Sequence, residues 1–364
     1  MIELDGSYGE GGGALVRTAL ALSTITGKEF KIINIRSGRN QPGLKAQHLH
    51  SINALKEICN AETNEIELGS TELWFKPGKI KSGIFKVDIE TAGSITLLLQ
   101  ALILPCLFAP NKVTLKVKGG TCGKWQASVD FLQNVLLPHI QRFVEKIELK
   151  VIKRGYYPKG NGEISLEINP RFKITEYESF SQFNEDLIYR TAKIDLIKQG
   201  EIEQIRGIVN VSKELEDKEV GERIKRAAQS SLNNFNVPMN IRVEYVSALS
   251  VGGEINLWAI FSQNGRVDFD NPVIIASEAL VERNQSSEHI GKNVAEKLKK
   301  EIESEAATDE HLADQLISFM ALLPESQIKT SKVSEHTHTN IYVVEKFLAV
   351  GFKVDGDNIS VKQR

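Results

Sequence analysis

Three stretches of this chain carry apolar residues at helical spacing behind a start of small or acidic residues: GEGGGALVRTALALSTITG (9–27), TAGSITLLLQALILPCLFA (91–109) and TDEHLADQLISFMALL (308–323). Apolar positions recurring at three and four residues turn one stripe toward a core, and what precedes them has the character of a helix start. A strand-like run follows each: FKIINI (30–35), KVTLKVK (112–118) and QIKTSK (327–332). Then come loops rich in glycine, charge or histidine, RSGRNQPG (36–43), GGTCGKW (119–125) and VSEHTHT (333–339), and a second helical pattern beginning LKAQHLHS, QASVDFLQ or NIYVVEKF. Each set closes in short strands. The same order three times over is duplication at the level of supersecondary structure.

The third copy is widely separated from the second. Between them, residues 181–275 carry a pattern of their own, with strands predicted near IRGIVNV, NIRVEYVSA and INLWAIFSQ and a charged amphipathic helix over 213–232. The expected fold is therefore α+β: three βα-rich repeats at about 1–85, 86–180 and 276–364, with an inserted α/β domain at 181–275. Because the three loops hold equivalent places, repeats packed side by side would bring them to one cleft, the default place for a site.

Composition narrows the options. With 364 residues and 41% hydrophobic content there is material for several cores, so a chain disordered throughout is excluded. Lys+Arg 45 against Asp+Glu 47 leaves a formal charge of -2, which excludes the global basic field of a sequence-independent DNA binder. Cys59, Cys106 and Cys122 are odd in number and form no CxxC pair, against both a disulfide framework and a thiolate zinc site. The N-terminal residues lack a basic and an apolar leader region, and the longest apolar run is broken by Gln100 and Pro105. A soluble, cytoplasmic protein of a reducing compartment is expected.

The candidate chemistry sits in the loops and helix starts. GEGGGA has the spacing of a weak dinucleotide fingerprint, but no doubly wound strand series surrounds it, and the Lys-Ser/Thr pair of a P-loop is missing. Its small residues would let an anion reach the N–H groups at the helix start. Glu10 would repel that anion unless a divalent cation lay between them, which makes Glu10 either a metal ligand or a solvent-exposed carboxylate. Arg36 and Arg39 flank a glycine ahead of a helix carrying Gln47 and His48, and two forked guanidiniums beside a turn suit a phosphate, with Arg17 nearby on the first helix. His50, His139 and His289 read as ordinary core or surface residues. His311, Asp314 and Gln315 share one helical face, either a ligand face or a capped surface helix. His336 and His338 are expected in a short loop before a helix, and a neutral ring nitrogen there could attack phosphorus to form a phosphoramidate.

Six motifs in order, GEGGGALVRTALALS, RSGRNQPGLKAQHL, ETAGSITLLLQ, GYYPKGNGE, HLADQL and SEHTHTNIYVVEKFL, resemble the RNA 3′-terminal phosphate cyclases over essentially the whole chain. The resemblance implies three repeats like the C-terminal domain of translation initiation factor 3, with a smaller insert of thioredoxin-like topology. It implies ATP-dependent conversion of an RNA 3′-phosphate to a 2′,3′-cyclic phosphodiester through a histidine–AMP adduct and an RNA adenylate. Counted back from Asn340, the family nucleophile falls on His336, and His338 on a position with no required side chain. Gln100 and His311, Leu312, Ala313, Asp314 and Gln315 match the ATP site. Arg17, Arg36, Arg39, Gln47 and His48 match the residues that handle the phosphates of ATP or RNA, and Glu10 a metal-associated acid for Mg2+ or Mn2+. The implied partner is RNA with a 3′-phosphate end, not DNA or a membrane, and a homodimer is left open.

There are departures. Asn161 stands where relatives usually have glycine, and Ala127 where a proline flanks the nucleotide, so that contact is not carried over. Lys124 and Trp125 in the same loop are suited to RNA. Two rival readings remain: a catalytically silent cyclase-like protein of the same fold that binds RNA during ribosome assembly, which would lack the nucleophile, and an enolpyruvyl transferase, of a fold related through similar repeats, which would form no covalent AMP adduct.

Overall fold

The computed structural model describes every residue except Glu10. Among the described residues, four sheets of four strands carry the architecture. The first is ordered β1-β2-β4-β3, from β1 (Ile2–Asp5), β2 (Phe30–Ile33), β3 (Glu62–Thr63) and β4 (Leu73–Lys76). β1 and β2 are parallel, and the other two pairings are antiparallel. Parallel neighbours need a crossover, which α1 (Gly13–Thr26) supplies, and α2 (Ala46–Cys59) follows β2.

The second sheet repeats this plan as β5-β6-β8-β7, with β5 (Gly83–Asp88), β6 (Val113–Gly119), β7 (Val144–Lys153) and β8 (Gly162–Pro170). Its crossover is α3 (Ile95–Leu107), and its second helical segment runs through α4 (Val129–Phe131), a π-helical turn at Leu132–Leu136 and α5 (Leu137–Ile140). The third has the same order and sense. There β9 (Asp195–Leu196) runs parallel to β14 (Gln327–Lys329), which pairs with the hairpin β15 (Val350–Asp355) and β16 (Asn358–Gln363).

The fourth sheet differs. Its order is β11-β10-β12-β13, built on the long β10 (Glu201–Ser212) with β11 (Met239–Val246), β12 (Gly253–Ser262) and β13 (Val273–Leu280). Following α6 (Phe180–Arg190), α7 (Val220–Leu232) and α8 (Ser287–Glu303) pack on each other and on this sheet. Set beside the expected division at 181–275, the strand pairing draws Asp195–Leu196 into the third sheet and Val273–Leu280, with α8, onto the fourth. The molecule is thus a mixed α and β protein of small sheets around one continuous apolar core. Among the described residues no helix is long and apolar enough to cross a membrane.

The helices that matter for the site are α1, α3, α9 (Glu310–Leu322) and α10 (Glu335–Phe347). α1 is buried along nearly its whole length, touching α2, α3 and α10, which explains why its sequence is apolar beyond a single stripe. Its C-terminus closes on Gly27 in the left-handed region, whose N–H donates to the Ser23 carbonyl (2.9 Å). Ser94 caps α3 by accepting from Leu97 N–H. Asp309 caps α9, accepting from the N–H groups of His311 (3.0 Å) and Leu312 (2.9 Å).

α10 begins five residues before the expected NIYVVEKF, so His336 and His338 are not in a loop but on its first turns. Ser334 is the N-cap and its Oγ accepts from Thr337 N–H (3.1 Å), a bond that lets the helix start inside the His-rich stretch.

Candidate functional site: an anion cradle at the start of α1

The start of α1 is glycine for a steric reason. A Cβ on Gly13 would lie 2.2 Å from His48 Nε2 and 2.8 Å from Arg17 Nη1, so only hydrogen fits. A Cβ on Gly12 would lie 3.7 Å from Arg39 Nη2 and 3.9 Å from His336 Cε1. Residues from the loop after β2, from α2 and from α10 therefore close round the first turn of α1. The second unit joins through Gln100 of α3, whose Oε1 accepts from Arg17 Nε (2.8 Å).

His48 is fully buried on α2. Its Nδ1 accepts the Lys45 backbone N–H (2.9 Å), which leaves the ring proton on Nε2, and Nε2 has no hydrogen-bond partner among the described residues. Burial, and then the charges of Arg17, Arg36 and Lys45, hold its pKa down to about 3. At neutral pH it is an uncharged donor, aimed at the helix start. Arg17 is buried too, and burial together with Arg36 lowers its pKa to about 10, still cationic at pH 7. Arg36 is pulled down by burial and by Arg39, and its buried Nε has no partner. Cations pressed together beside open helix N–H groups make a site for an oxyanion.

The other wall is α9 and α10. Asp314 Oδ1 accepts from Ser334 Oγ (2.6 Å) and Thr337 Oγ1 (2.6 Å), and its backbone carbonyl accepts from Asn340 Nδ2 (2.8 Å). Thr18 Oγ1 on α1 donates to Asn340 Oδ1 (2.8 Å). These bonds fix the start of α10 against α9 and α1, and so fix where His336 is carried. Burial raises the Asp314 pKa, while the Ser334 and Thr337 hydroxyls oppose the rise. Tyr8 stacks on Tyr342 of α10, with ring centroids 4.0 Å apart, and ties the glycine loop to the same helix.

His336 and His338 are both exposed. Two residues apart on a helix, they face different directions, and it is His336 that lies beside Gly12. His311 is exposed on the first turn of α9, edge-on to Phe131 at 6.4 Å between centroids. Below it Glu278 accepts from Ser128 N–H (3.2 Å) and Asn256 Nδ2 (3.2 Å), its pKa raised by burial. Gln315 is half-buried, its Nε2 donating to the His311 carbonyl (3.1 Å). Leu312 and Ala313 have no exposed surface and serve the core.

Of the expected site residues, Arg17, Arg36, Arg39, His48, Gln100 and His336 are thus brought to one place, and His311 and Gln315 lie on the adjoining helix. Gln47 is among the residues lining a neighbouring cavity. Glu10 lies outside the described residues, and among the others no group of three His, Cys, Asp or Glu side chains could hold a metal. Lys124 is ion-paired with Glu282 (2.6 Å), and Trp125 is 95% exposed on a left-handed backbone, φ 60°. Sequence reasoning missed Thr18, Ser334, Thr337, Phe131 and Glu278. Ser334, three residues ahead of Thr337, carried a capping signal that could have been read, whereas Glu278 shows its role only through tertiary contact.

Fold and site together describe a mixed α and β protein in which Arg17, Arg39 and the uncharged His48 close round a glycine helix start, with the exposed His336 at its rim. The RNA 3′-terminal phosphate cyclase family model matches residues 8–354. The RNA 3′-terminal phosphate cyclase of Archaeoglobus fulgidus is 40% identical over 364 residues, covering 100% of both chains. Those of Methanopyrus kandleri and Pyrococcus furiosus are 38% and 37% identical, each covering 98% of this chain and 96% of the relative. The chain belongs to the RNA 3′-terminal phosphate cyclase family.

Proposed function

We propose that this protein uses ATP to convert an RNA 3′-phosphate end into a 2′,3′-cyclic phosphodiester, with His336 as the transient carrier of AMP. The observation that carries the reading is the convergence of Arg17, Arg39, His48 and His336, from different elements of the fold, on Gly12 and Gly13. A phosphate monoester dianion has no usable leaving group, so the reaction needs activation. A ring nitrogen of His336 attacks the α-phosphorus of ATP, forming N–P and breaking the P–O bond to pyrophosphate. An oxygen of the RNA 3′-phosphate then displaces histidine from that phosphorus. Finally the neighbouring 2′-OH attacks the RNA phosphorus, losing its proton, and AMP departs with the electron pair of the broken P–O bond. The last step is intramolecular, so little more than positioning is required of the protein.

In this reading the α1 N–H groups and His48 Nε2–H donate to the phosphates and Arg17 offsets their charge, while Asp314 and Asn340 hold the helix that carries His336. The adenine is placed near His311, whose exposed ring stands on the first turn of α9 with the buried Phe131 edge-on behind it. The fold supports the related expectation that the three like-ordered sheets are initiation-factor-3-like repeats and the fourth a thioredoxin-like insert. A divalent cation belongs to the proposal through Glu10, and no step is assigned to it.

The test is incubation with α-labelled ATP and Mg2+ or Mn2+. Label should survive denaturation, be released by acid, vanish in His336→Ala and persist in His338→Ala. Labelling at the wild-type level in both variants would rule out His336 as the carrier. Chelation of divalent cations should abolish the label.

A further inference from the structure

Among the described residues, the longest strand at the edge of any sheet is β7, ten residues beside β8 at the end of the second sheet. An open strand edge is a row of free N–H and C=O groups, a template for another strand. Antiparallel residues alternate between bonding their neighbour and facing away from it. The Lys118 carbonyl is turned toward β5, accepting from Ile89 N–H (3.0 Å), so the odd residues of β6 bond β8, and Ser165 and Glu167 of β8 bond Lys150 and Glu148 of β7. Ile147, Leu149 and Val151 are left facing outward. The Leu149 carbonyl agrees, accepting from the Gln133 side chain (3.1 Å), and among the described residues no other hydrogen bond reaches this outward set. The space beside the edge is open: a cavity of about 590 Å³ runs along Glu148 to Arg154, with Arg242, Glu244 and Val246 of β11 across it.

The charges along β7 say what fits there. An edge blunted against its own copy carries one sign, usually lysine. On the solvent face of β7 the sign alternates, with Glu148 between Lys146 (2.7 Å) and Lys150 (3.3 Å). Turned round antiparallel, that row is its own complement. A two-fold axis at Leu149 sets Glu148 opposite the copy's Lys150 and Lys150 opposite the copy's Glu148. It makes Leu149 face Leu149, and Ile147 face Val151, as pairs that exchange both backbone bonds, with the copy's N–H replacing Gln133. It also lays the aliphatic stem of Lys146 along the copy's Ile152, which is 60% exposed. The neighbouring register, with Glu148 facing Glu148, would set Lys146 against Lys150 and repel at every position. Bulges agree with this centre: the pairing with β8 slips between Val144 and Lys146 and between Val151 and Lys153, which leaves the regular stretch centred near Leu149.

We infer that β7 is a docking edge for a second copy of this chain, the two strands pairing antiparallel about Leu149 to join the second sheets of both copies. The inference is independent of the proposed reaction, since no residue of β7 belongs to the site.

Sedimentation equilibrium of the whole protein at low ionic strength tests it. A monomer–dimer equilibrium is expected with a dissociation constant on the order of 10 μM, because pairing of about six residues a side is a small interface. Glu148→Lys and Lys150→Glu each place like charges across the axis twice over, and each should raise that constant about tenfold with an unchanged Tm. The double exchange, Glu148→Lys with Lys150→Glu, restores opposite signs and should return the wild-type constant. Hydrogen exchange at the Ile147 and Val151 amides should slow as protein concentration rises. A chain that stays monomeric to about 200 μM overturns the inference, that concentration being well above the expected constant. So do a dimer indifferent to the single exchanges, a double exchange no better than the singles, and protection confined to another strand.

Discussion

Gly13 shows how far one hydrogen atom can decide a site. In an ordinary helix, Gly→Ala adds about 1 kcal/mol of stability. Here the new methyl would collide with His48 Nε2, so Gly13→Ala should have the opposite sign in function, displacing an uncharged side-chain donor from the start of α1. Labelling of His336 by ATP in Gly13→Ala is expected to fall at least tenfold, while Gly38→Ala, where a Cβ meets nothing, serves as the control. Asp314 acts differently, through helix placement. Asp314→Ala removes the acceptor shared by Ser334 and Thr337, and hydrogen bonds to a charged group contribute about 1.5–3 kcal/mol each. Chemical denaturation should register a loss of about 2–3 kcal/mol, and adduct formation should slow with it. The chemical type of these residues was readable in the chain: arginines beside glycine, histidine before a helix. What could not be read was direction, since nothing local shows that of the neighbours Gln47 and His48 it is the His48 ring that comes up against Gly13.

Helix starts were the most legible elements, because capping residues and apolar spacing are local signals. α1, α3 and α9 begin within four residues of where their patterns do. α10 was placed late because HTHTN looks polar. In the structure the polarity divides, with Thr337, Thr339 and Asn340 buried and bonded to α9 or to the helix itself, and the two histidines outside. Two-residue strands were invisible: β3 and β9 are too short for alternation to show, and β9 is defined only by its partner in β14. The α4–α5 segment, read as one amphipathic helix, contains a π-helical turn before Pro138, a residue that cannot donate to the ladder.

Across the whole molecule, charge is buried where the fourth sheet meets the second unit. Arg154 donates to both Asp130 oxygens and to Glu244 (3.1 Å), and Asn210 Nδ2 bridges Asp130 (3.2 Å) and Glu254 (3.0 Å). Arg154→Met would strand buried carboxylates at that seam, at a cost of about 3–5 kcal/mol, readable as a lower urea midpoint. Acid acts through histidine. In the unfolded chain histidine takes up its proton near pH 6.5, whereas His48 and His139 in the fold resist it down to about 3. Between those values the unfolded state binds more protons, so stability falls as pH drops; at pH 4 each costs roughly 3 kcal/mol. Burial raises Glu254 and Glu278, and lifts Glu301 to about 7, so these groups act in the opposite sense, losing stability as pH rises through their folded values. The windows of His48, His139 and Glu301 overlap between pH 4.5 and 6.5, so there the histidines and the glutamate act against each other. His139→Phe, at a ring with neither nitrogen bonded, should flatten the acid limb when unfolding is compared at pH 4 and 6.

The pairing of β9 with β14 has a bearing on how the chain is made. Asp195 and Leu196 leave the ribosome long before Gln327 and Ile328, their partners, and the whole fourth sheet is synthesised in between. The first two sheets draw their strands from neighbouring stretches and can close during synthesis, but the third must wait with one edge strand in hand. Such a long-range closure sets a late, slow step in folding. The helix bearing His336 follows β14, so a nascent chain acquires this histidine only after the other residues round the start of α1 have been made.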